Sequence, residues 1–448
     1  MDYLSRLATV APPGFNRWLV PPAAVAVHMC IGQVYAFSVF NKPLSIELGV
    51  SVSRVNTAYM LALVMLGLSA AVFGKWVERS GPRLSILASW ACFCGGLLVT
   101  AVSVIVKAPW LVLVGYGVIG GIGLGLGYIA PVSTLVKWFP DRPGMATGMA
   151  IMGFGGGALV GSPLAQELMG RFAHAPHTGA AAALIAMAAI YTCFMLFGAW
   201  IVRVPPAGWR PYGDAALGGG LSDARPVGSV SVDTAWKTPQ FWLLWIVLCM
   251  NVSAGIGVLG RAADMCQDMF GVSGTIGAGF TGLLSIANMA GRFVWSSISD
   301  VIGRKAVYAI YFLLGIALFA CLPALQQAQS RGAFVACTAI VISMYGGGFA
   351  TIPAYLRDLF GTEQIGAIHG RLITAWSMAA VVGPTLINGL YDRRVAAGVP
   401  KAEAYNGTFF LMGGLLAVGF VANLLVRPVA ARHAMAIEGV DRGHGQEV

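Results

Sequence analysis

Apolar runs of roughly 20 residues recur along almost the whole of this 448-residue chain. A run of that length can cross the ~30 Å hydrocarbon core of a bilayer as an α-helix, because each helical residue rises ~1.5 Å. Only 10% of the residues are charged, whereas soluble domains contain ~25%. Lipid is therefore the expected environment, and the chain is predicted to be an all-α integral membrane protein.

Twelve such runs predict twelve transmembrane helices. They cover residues 17–40, 54–75, 84–106, 110–137, 144–170, 179–203, 238–262, 274–298, 306–325, 333–357, 366–390 and 405–427. The long polar stretch 204–237 is rich in proline and glycine, which is typical of a linker. The predicted domains are a six-helix bundle 1–203, the linker 204–237, a second six-helix bundle 238–427 and a tail 428–448.

The net charge of +10 is interpreted as membrane topology, and no nucleic-acid partner is expected. With twelve helices both ends of the chain lie on one side of the membrane, and 18 of the 28 lysines and arginines fall on that side. The positive-inside rule then predicts that both termini and the linker are cytoplasmic. The segment that precedes Arg17 lacks the apolar region of a cleavable signal, so the first helix is expected to direct the chain to the inner membrane.

The two halves repeat in sequence at one constant offset. Gly74-Lys-Trp-Val-Glu78-Arg79-Ser-Gly81-Pro82-Arg83 follows the second run, and Ser296-Ser-Ile-Ser-Asp300-Val-Ile-Gly303-Arg304-Lys305 follows the eighth. The same offset relates Gly144 to Gly366 and Pro131 to Pro353. Several matches in one register indicate a duplication, an architecture of transporters that places the substrate site between the halves near the membrane midplane.

These two loops resemble the signature of the major facilitator superfamily, in which a glycine, an acid and several basic residues follow the second and eighth helices. The first copy departs from the signature at Glu78 and Pro82, and the second at Ser296. The resemblance implies the major facilitator fold of two six-helix pseudo-repeats. It also implies a conformational gating role for Gly74, Glu78, Arg79, Gly81, Arg83, Asp300, Gly303, Arg304 and Lys305.

Three further segments resemble the oxalate/formate antiporter family and the related monocarboxylate transporters. They are the run 35–44, the glycine-rich region from 121 to 157, and Asn288-Met-Ala-Gly-Arg292 in the eighth run. In those families the arginine of the eighth helix binds the substrate carboxylate, and an asparagine or aspartate precedes it by one turn. The resemblance therefore implies substrate binding by Arg292 and Asn288.

The residues alone also single out Arg292. It precedes Asp300 by eight residues, which places it roughly 12 Å inside the membrane. An ionisable side chain at that depth usually marks a functional site, and a guanidinium group can donate two parallel hydrogen bonds to a carboxylate. The alternative is a structural cation paired with carbonyls or with an acid, but the acids of this chain fall in loops, tails or helix ends.

Aromatic residues on neighbouring helices are candidates for the pocket wall, although packing in the core would explain each of them equally well. The candidates are Tyr35, Tyr128, Tyr345, Phe349 and Trp376. His28 is a candidate for proton coupling because it is placed deep in a helix and histidine titrates near neutral pH. A satisfied core histidine is the alternative.

The size of the substrate follows from the resemblance together with a departure from it. The oxalate exchanger of that family uses a second cation in helix eleven, whereas residues 372–392 of this chain contain no lysine or arginine. One membrane cation suits one carboxylate. The expected function is therefore alternating-access transport of a monocarboxylate such as lactate, pyruvate or formate, by proton symport or by anion exchange.

Other functions remain open or are disfavoured. The alternatives are an oxalate/formate-type dicarboxylate antiporter and a transport-inactive sensor built on a carrier fold. Cationic-drug export is disfavoured because helices one, two and four carry no acid. No enzyme, cofactor or metal site is expected, since no constellation of nucleophile and base or of metal ligands is found. A functional monomer in the lipid bilayer is expected, with a small carboxylate and possible protons as its partners.

Overall fold

The computed structural model describes residues 5–174, 177–211 and 229–435, and almost all of them are helical. The twelve long helices are α1 Arg17–Ala36, α2 Val52–Ser80, α3 Pro82–Ile105, α4 Trp110–Trp138, α5 Pro143–Phe172, α6 Ala180–Ile201, α7 Pro239–Gly260, α8 Gly274–Ile302, α9 Arg304–Gln327, α10 Arg331–Phe360, α11 Ile365–Ala396 and α12 Lys401–Leu425. Eleven of them are long and apolar enough to cross a membrane.

The remaining long helix, α8, has 29 residues, and its most apolar stretch is less apolar than those of the other eleven. It carries Asn288, Arg292 and Asp300. It packs most extensively against α10 and α5, and it exposes Leu283, Ile286 and Val294 on its opposite face. Since ionisable side chains in membrane helices face the interior of the bundle, the face of α8 that carries the buried Asn288 and Arg292 is its interior face.

Several helices depart from regular geometry. The α1 span is followed by a separate helix, Ser38–Leu48, and α4 contains a π-helical stretch, Leu113–Gly120. Helix α11 consists of a first segment, Ile365–Leu372, and a second segment, Thr374–Ala396. Such irregularities in membrane helices often occur at functional sites, because neighbouring helices satisfy the freed backbone groups.

Two repeat-related helix pairs join the halves. Helix α5 of the first half packs on α8 of the second, and α2 of the first half packs on α11 of the second. The twelve-helix fold and its duplication are thus confirmed. The domain boundaries stay a prediction, since part of the linker (212–228) and of the tail (436–448) lies outside the described residues.

A buried acid braces the end of the first half opposite the signature loops. Glu47 accepts hydrogen bonds from the Thr178 N–H over 2.6 Å and from Lys107 Nζ over 3.1 Å. His177 Nδ1 lies 3.3 Å from its second oxygen. Burial raises the pKa of Glu47, but the hydrogen bonds from Thr178, Lys107 and His177 outweigh burial and hold it at about 2. The ionised carboxylate therefore ties three parts of this half together.

Candidate functional site

The side chain of Arg292 is completely buried in the middle of α8. Its Nε donates a hydrogen bond to Asn288 Oδ1 over 3.2 Å, and its Nη1 donates to the carbonyl of Ile151 on α5 over 3.1 Å. Both acceptors are neutral, and Nη2 has no hydrogen-bond partner among the described residues. Because its charge is not neutralised and its Nη2 can still donate a hydrogen bond, the guanidinium group can bind an anion favourably.

Other buried donors surround this guanidinium group. The hydroxyls of Tyr35 and Tyr128 and the Trp376 Nε1 also lack a partner within the described part of the chain. The Tyr35 hydroxyl lies beside Arg292 and beside the Tyr345 hydroxyl, and Tyr345 lies beside the Trp376 indole, but the Tyr35 hydroxyl and the indole N–H make no hydrogen bond of good geometry with these neighbours. Because unsatisfied buried polar groups are costly and rare, a group of donors from α1, α4, α8 and α11 is suited to an oxygen-rich ligand.

Aromatic rings form the apolar wall of this site. Arg292 Cζ lies 5.0 Å from the Phe349 ring centroid and 5.9 Å from that of Phe154, within cation–π range. The Tyr128 centroid lies 5.5 Å from Phe349 and 5.6 Å from Phe154, and Trp376 lies 5.9 and 6.4 Å from the same two rings. All the residues predicted for substrate binding are thus brought together.

Phe154 is a member of this wall that the candidates from the sequence omit. The repeat offset that relates Gly144 to Gly366 also relates Phe154 to Trp376, so applying the offset to the candidates would have identified it. The next residue, Gly155, lets α5 pass close to the arginine, because a Cβ there would lie 2.7 Å from Arg292 Nε. The glycine run 153–157 therefore has a packing role at the site.

Two buried histidines flank Tyr128, each with its ring centroid 5.5 Å from the tyrosine ring. His28 Nδ1 lies 2.8 Å from the Ala150 carbonyl and its Nε2 lies 3.2 Å from the Tyr128 carbonyl. His369, in the first segment of α11, has an Nε2 without a partner among the described residues. The apolar runs place His369 near the start of the eleventh helix, which is why the sequence did not single it out.

The acids of the two signature loops cross between the halves. Asp300 accepts hydrogen bonds from the N–H groups of Gly144 and Met145, each over 2.8 Å, at the start of α5. Glu78 accepts from the Gly366 N–H over 2.8 Å at the start of α11. A carboxylate at a helix N-terminus satisfies free N–H groups and interacts favourably with the helix dipole. Each acid therefore caps a helix of the opposite half.

The basic residues of the loops mostly hold their own half together. Arg304 pairs with Asp300 over 2.6 Å and with Asp358 over 3.1 Å. Lys305 donates to the carbonyls of residues 424 and 426, and Lys137 pairs with Glu78 over 2.6 Å. Arg79 is exposed, and Arg83 is buried.

The glycines of the loops meet two geometric demands. Gly81 and Gly303, which are repeat-related, have φ angles of +83° and +89°, a region that side chains disfavour. Gly74 packs against Ala367 of the other half, where a Cβ would lie 2.8 Å from the Ala367 Cα. The loops are thus built for tight turns and for a close approach of the halves.

Further contacts hold the halves together between the loops and the site. The Thr147 hydroxyl donates to the Ala350 carbonyl over 2.9 Å, and the Ser377 hydroxyl donates to the Leu63 carbonyl over 2.6 Å. Arg357 donates to the Pro140 carbonyl over 3.1 Å. The bundle is therefore closed at the end that carries the signature loops.

Twelve helices in two repeated halves, with a polar centre between them, define a membrane carrier. The chain belongs to the Major Facilitator Superfamily, whose family model matches residues 23–300 and 268–444. The resemblance read from the signature loops is thereby confirmed, and the chain is a multi-pass transporter of this superfamily.

Relatives among known proteins share much of the chain. The oxalate:formate antiporter of Oxalobacter formigenes is 26% identical and covers 82% of this chain and 83% of its own length. Apicoplast pyruvate carrier 1 of Toxoplasma gondii is 26% identical, over 70% of this chain and 66% of its own length. The crystal structure of the transporter FucP in the outward conformation is similar in fold, with a TM-score of 0.65, 13% identity, and coverage of 92% of this chain and 100% of FucP.

Proposed function

We propose that the chain carries small monocarboxylates across the cell inner membrane, with both termini in the cytoplasm, by alternating access of the two halves around Arg292. The observation that carries this proposal is the group of buried donors around one cation. The guanidinium Nη2 and the neutral donors of Tyr35, Tyr128 and Trp376 lack acceptors among the described residues. A carboxylate supplies several lone pairs and one negative charge, which matches this set.

The shape of the site supports a small substrate. Phe154 and Phe349 lie within 6 Å of the guanidinium carbon, so little room separates the charge from the aromatic wall. These rings suit the short carbon end of lactate or pyruvate, and formate needs no such end. Asn288 acts on the arginine itself, because its Oδ1 accepts from Nε and orients the fork.

A second function, exchange of oxalate or another dicarboxylate, is supported by the likeness to the oxalate:formate antiporter. The site argues against it, because Trp376 occupies the α11 side of the pocket and its indole N–H is neutral. A dianion bound there would leave one negative charge buried without a cation, and burial of an unpaired charge is costly.

The proposal is tested by uptake of radiolabelled lactate, pyruvate, formate and oxalate into proteoliposomes. Arg292→Ala is expected to lower kcat/KM for the transported monocarboxylate at least ~100-fold, equivalent to roughly 3 kcal/mol. Arg292→Lys should recover only part of this loss, because an ammonium group cannot donate as a planar fork. Arg54→Ala, which removes an exposed arginine, is the matched control and should transport normally.

Three outcomes would contradict the proposal. Folded Arg292→Ala protein that transports at the wild-type rate would make Arg292 a structural cation. Saturable exchange of oxalate without uptake of any monocarboxylate would favour the dicarboxylate function. Binding of a monocarboxylate without translocation would favour a sensor.

A further inference from the structure

The site contains two histidines, and their surroundings differ. Both ring nitrogens of His28 face backbone carbonyls, of Ala150 on α5 and of Tyr128 on α4. A neutral imidazole has one N–H and donates to only one of these carbonyls, and that hydrogen bond holds the ring between two helices of its own half. His369 belongs to the other half, and its Nε2 has no partner in the described part of the chain.

His369 also lies where the binding site meets the moving parts of the fold. Its ring is 1% exposed and packs 5.5 Å from Tyr128, whose hydroxyl is likewise without a partner among the described residues. The residue sits one turn after Gly366, whose N–H is capped by Glu78 of the opposite half. A change at His369 is therefore close to both the pocket and the contact that closes the halves.

The unpartnered groups around the site differ in what they can do with a proton. A guanidinium group and an indole N–H only donate hydrogen bonds, and tyrosine hydroxyls lose their proton near pH 10. Histidine takes up and releases a proton near neutral pH. Within the set of unpartnered site atoms, His369 Nε2 is the one chemically suited to carry a proton during transport.

Charged and titratable groups approach the first segment of α11 from several neighbours. They are Glu78 from α2, Tyr128 from α4, Asp233 from the linker, Arg371 from the segment itself, His28 from α1 behind Tyr128, and Arg292 from α8 beyond Phe349. Helix α7 contributes the Trp245 indole, which donates to Thr374 at the start of the second segment. Glu78 and Asp233 contact the two ends of the first segment, so Tyr128 and His28 are the neighbours of the ring.

Building on the proposed function, we propose that His369 binds the proton that is cotransported with the carboxylate. A proton from bulk water forms an N–H bond at Nε2, and the anion binds at Arg292. After the halves rearrange, the anion leaves and the N–H bond breaks to return the proton to water on the other side. One proton and one monoanion cross together, so the transported pair is neutral.

The charges of the site couple the binding of the proton to the binding of the anion. In the empty site a proton on His369 would add a second cation to a buried region that already holds Arg292. A carboxylate at Arg292 cancels that charge, and a proton on His369 then becomes less unfavourable because like-charge repulsion is offset. Anion and proton therefore favour each other's binding, as linkage requires.

The test separates proton coupling from substrate binding in proteoliposomes. It uses radiolabelled pyruvate, lactate and formate, and follows whichever of these the wild type takes up. His369→Gln is expected to lower uptake driven by an inward proton gradient at least tenfold. Exchange of internal for external substrate at equal pH should stay within about threefold of wild type, because the proton need not leave the site during exchange.

His174→Gln, which replaces an exposed histidine outside the site, is the matched control and should keep the stimulation by the gradient. His369→Thr is the second variant, because threonine already stands at the repeat-related position Thr147 and fits that place in the fold. A pH-sensitive dye in the outer medium gives an independent reading, with about one proton expected to disappear for each acid taken up by wild type. This reading requires no variant.

The outcomes distinguish this inference from the proposed function. Absence of wild-type uptake for all three acids would overturn both. Wild-type uptake without proton movement would overturn the inference alone, as would either His369 variant with normal stimulation by the gradient. Equal loss of exchange and of gradient-driven uptake in folded His369→Gln and His369→Thr would show a role in substrate binding, which also overturns the inference.

Discussion

The two acids that cross between the halves should set the balance between closed and open forms at the loop end. Asp300 accepts two backbone hydrogen bonds at the start of α5, whereas Glu78 accepts one at the start of α11. Replacement by the matching amide keeps size and one acceptor oxygen but removes the charge. Asp300→Asn is therefore expected to open this end more than Glu78→Gln.

The magnitude follows from the contacts that are lost. A hydrogen bond to a charged group contributes ~1.5–3 kcal/mol, and a charge at a helix N-terminus contributes a further ~0.3–1 kcal/mol. In Asp300→Asn one of the two N–H groups meets an NH₂ group, so the loss is roughly 2–3 kcal/mol, about 30- to 150-fold in the ratio of open to closed forms. Glu78→Gln retains its single acceptor and should lose ~1 kcal/mol, about fivefold.

The distance between the halves can be measured with spin labels at Arg142 and Glu363. Both side chains are exposed, and they precede α5 and α11, the two capped helices. The exposed cysteines Cys193 and Cys321 are first replaced. Pulsed dipolar spectroscopy should then show a longer distance that gains population in Asp300→Asn, and to a smaller degree in Glu78→Gln.

A matched control removes a carboxylate that acts within one half. Asp268 accepts hydrogen bonds from Tyr391 and Tyr405, all in the second half, so Asp268→Asn should leave the distance distribution nearly unchanged. If Asp300→Asn shifts the ratio less than twofold, or if Asp268→Asn shifts it equally, the crossing caps do not control closure. A larger effect of Glu78→Gln than of Asp300→Asn would refute the count of hydrogen bonds.

Two further predictions concern the brace and the pocket. Glu47→Gln should lower the melting temperature in detergent at neutral pH. The folded-state pKa of Glu47 is depressed to about 2 from 4.5, so the stability that its carboxylate contributes is present above pH 4.5 and is lost as pH falls toward 2. A wild-type melting temperature that still exceeds that of the variant at pH 2 would contradict this prediction. Gly155→Ala places a Cβ 2.7 Å from Arg292 Nε and should weaken substrate binding about tenfold or more in a competition assay. Gly95→Ala is the control, because a Cβ there meets nothing within 4 Å. Equal substrate affinity in the two variants would contradict this prediction.

Much of the fold could be predicted from the sequence because lipid imposes length and hydropathy on each helix. The predicted run 179–203 corresponds to α6, Ala180–Ile201, and the run 274–298 lies inside α8. The separate helix Ser38–Leu48 was missed, because the apolar run ends near residue 40 while helical geometry continues in a more polar segment. Hydropathy reports the lipid boundary and not the end of a helix.

The site was predictable where one residue carried the information by itself. Arg292 was singled out because a charge in the membrane is rare, whereas His369 and Phe154 matter through neighbours that are distant in sequence. The partners of Asp300 and Glu78 could not be identified either, since they are backbone N–H groups, which nearly every residue has. The repeat offset contained part of this information, because it relates Phe154 to Trp376.

The same repeat links the loop end to the pocket. Asp300 caps α5 at Gly144, and ten residues later, ~15 Å along the helix, α5 presents Phe154 to Arg292. Glu78 caps α11 at Gly366, and ten residues later α11 presents Trp376. The two rings lie 6.4 Å apart, one from each half. Because each capped N-terminus and its ring belong to one helix, opening the loop end should separate the rings, and a ligand that holds the rings together should favour the closed caps.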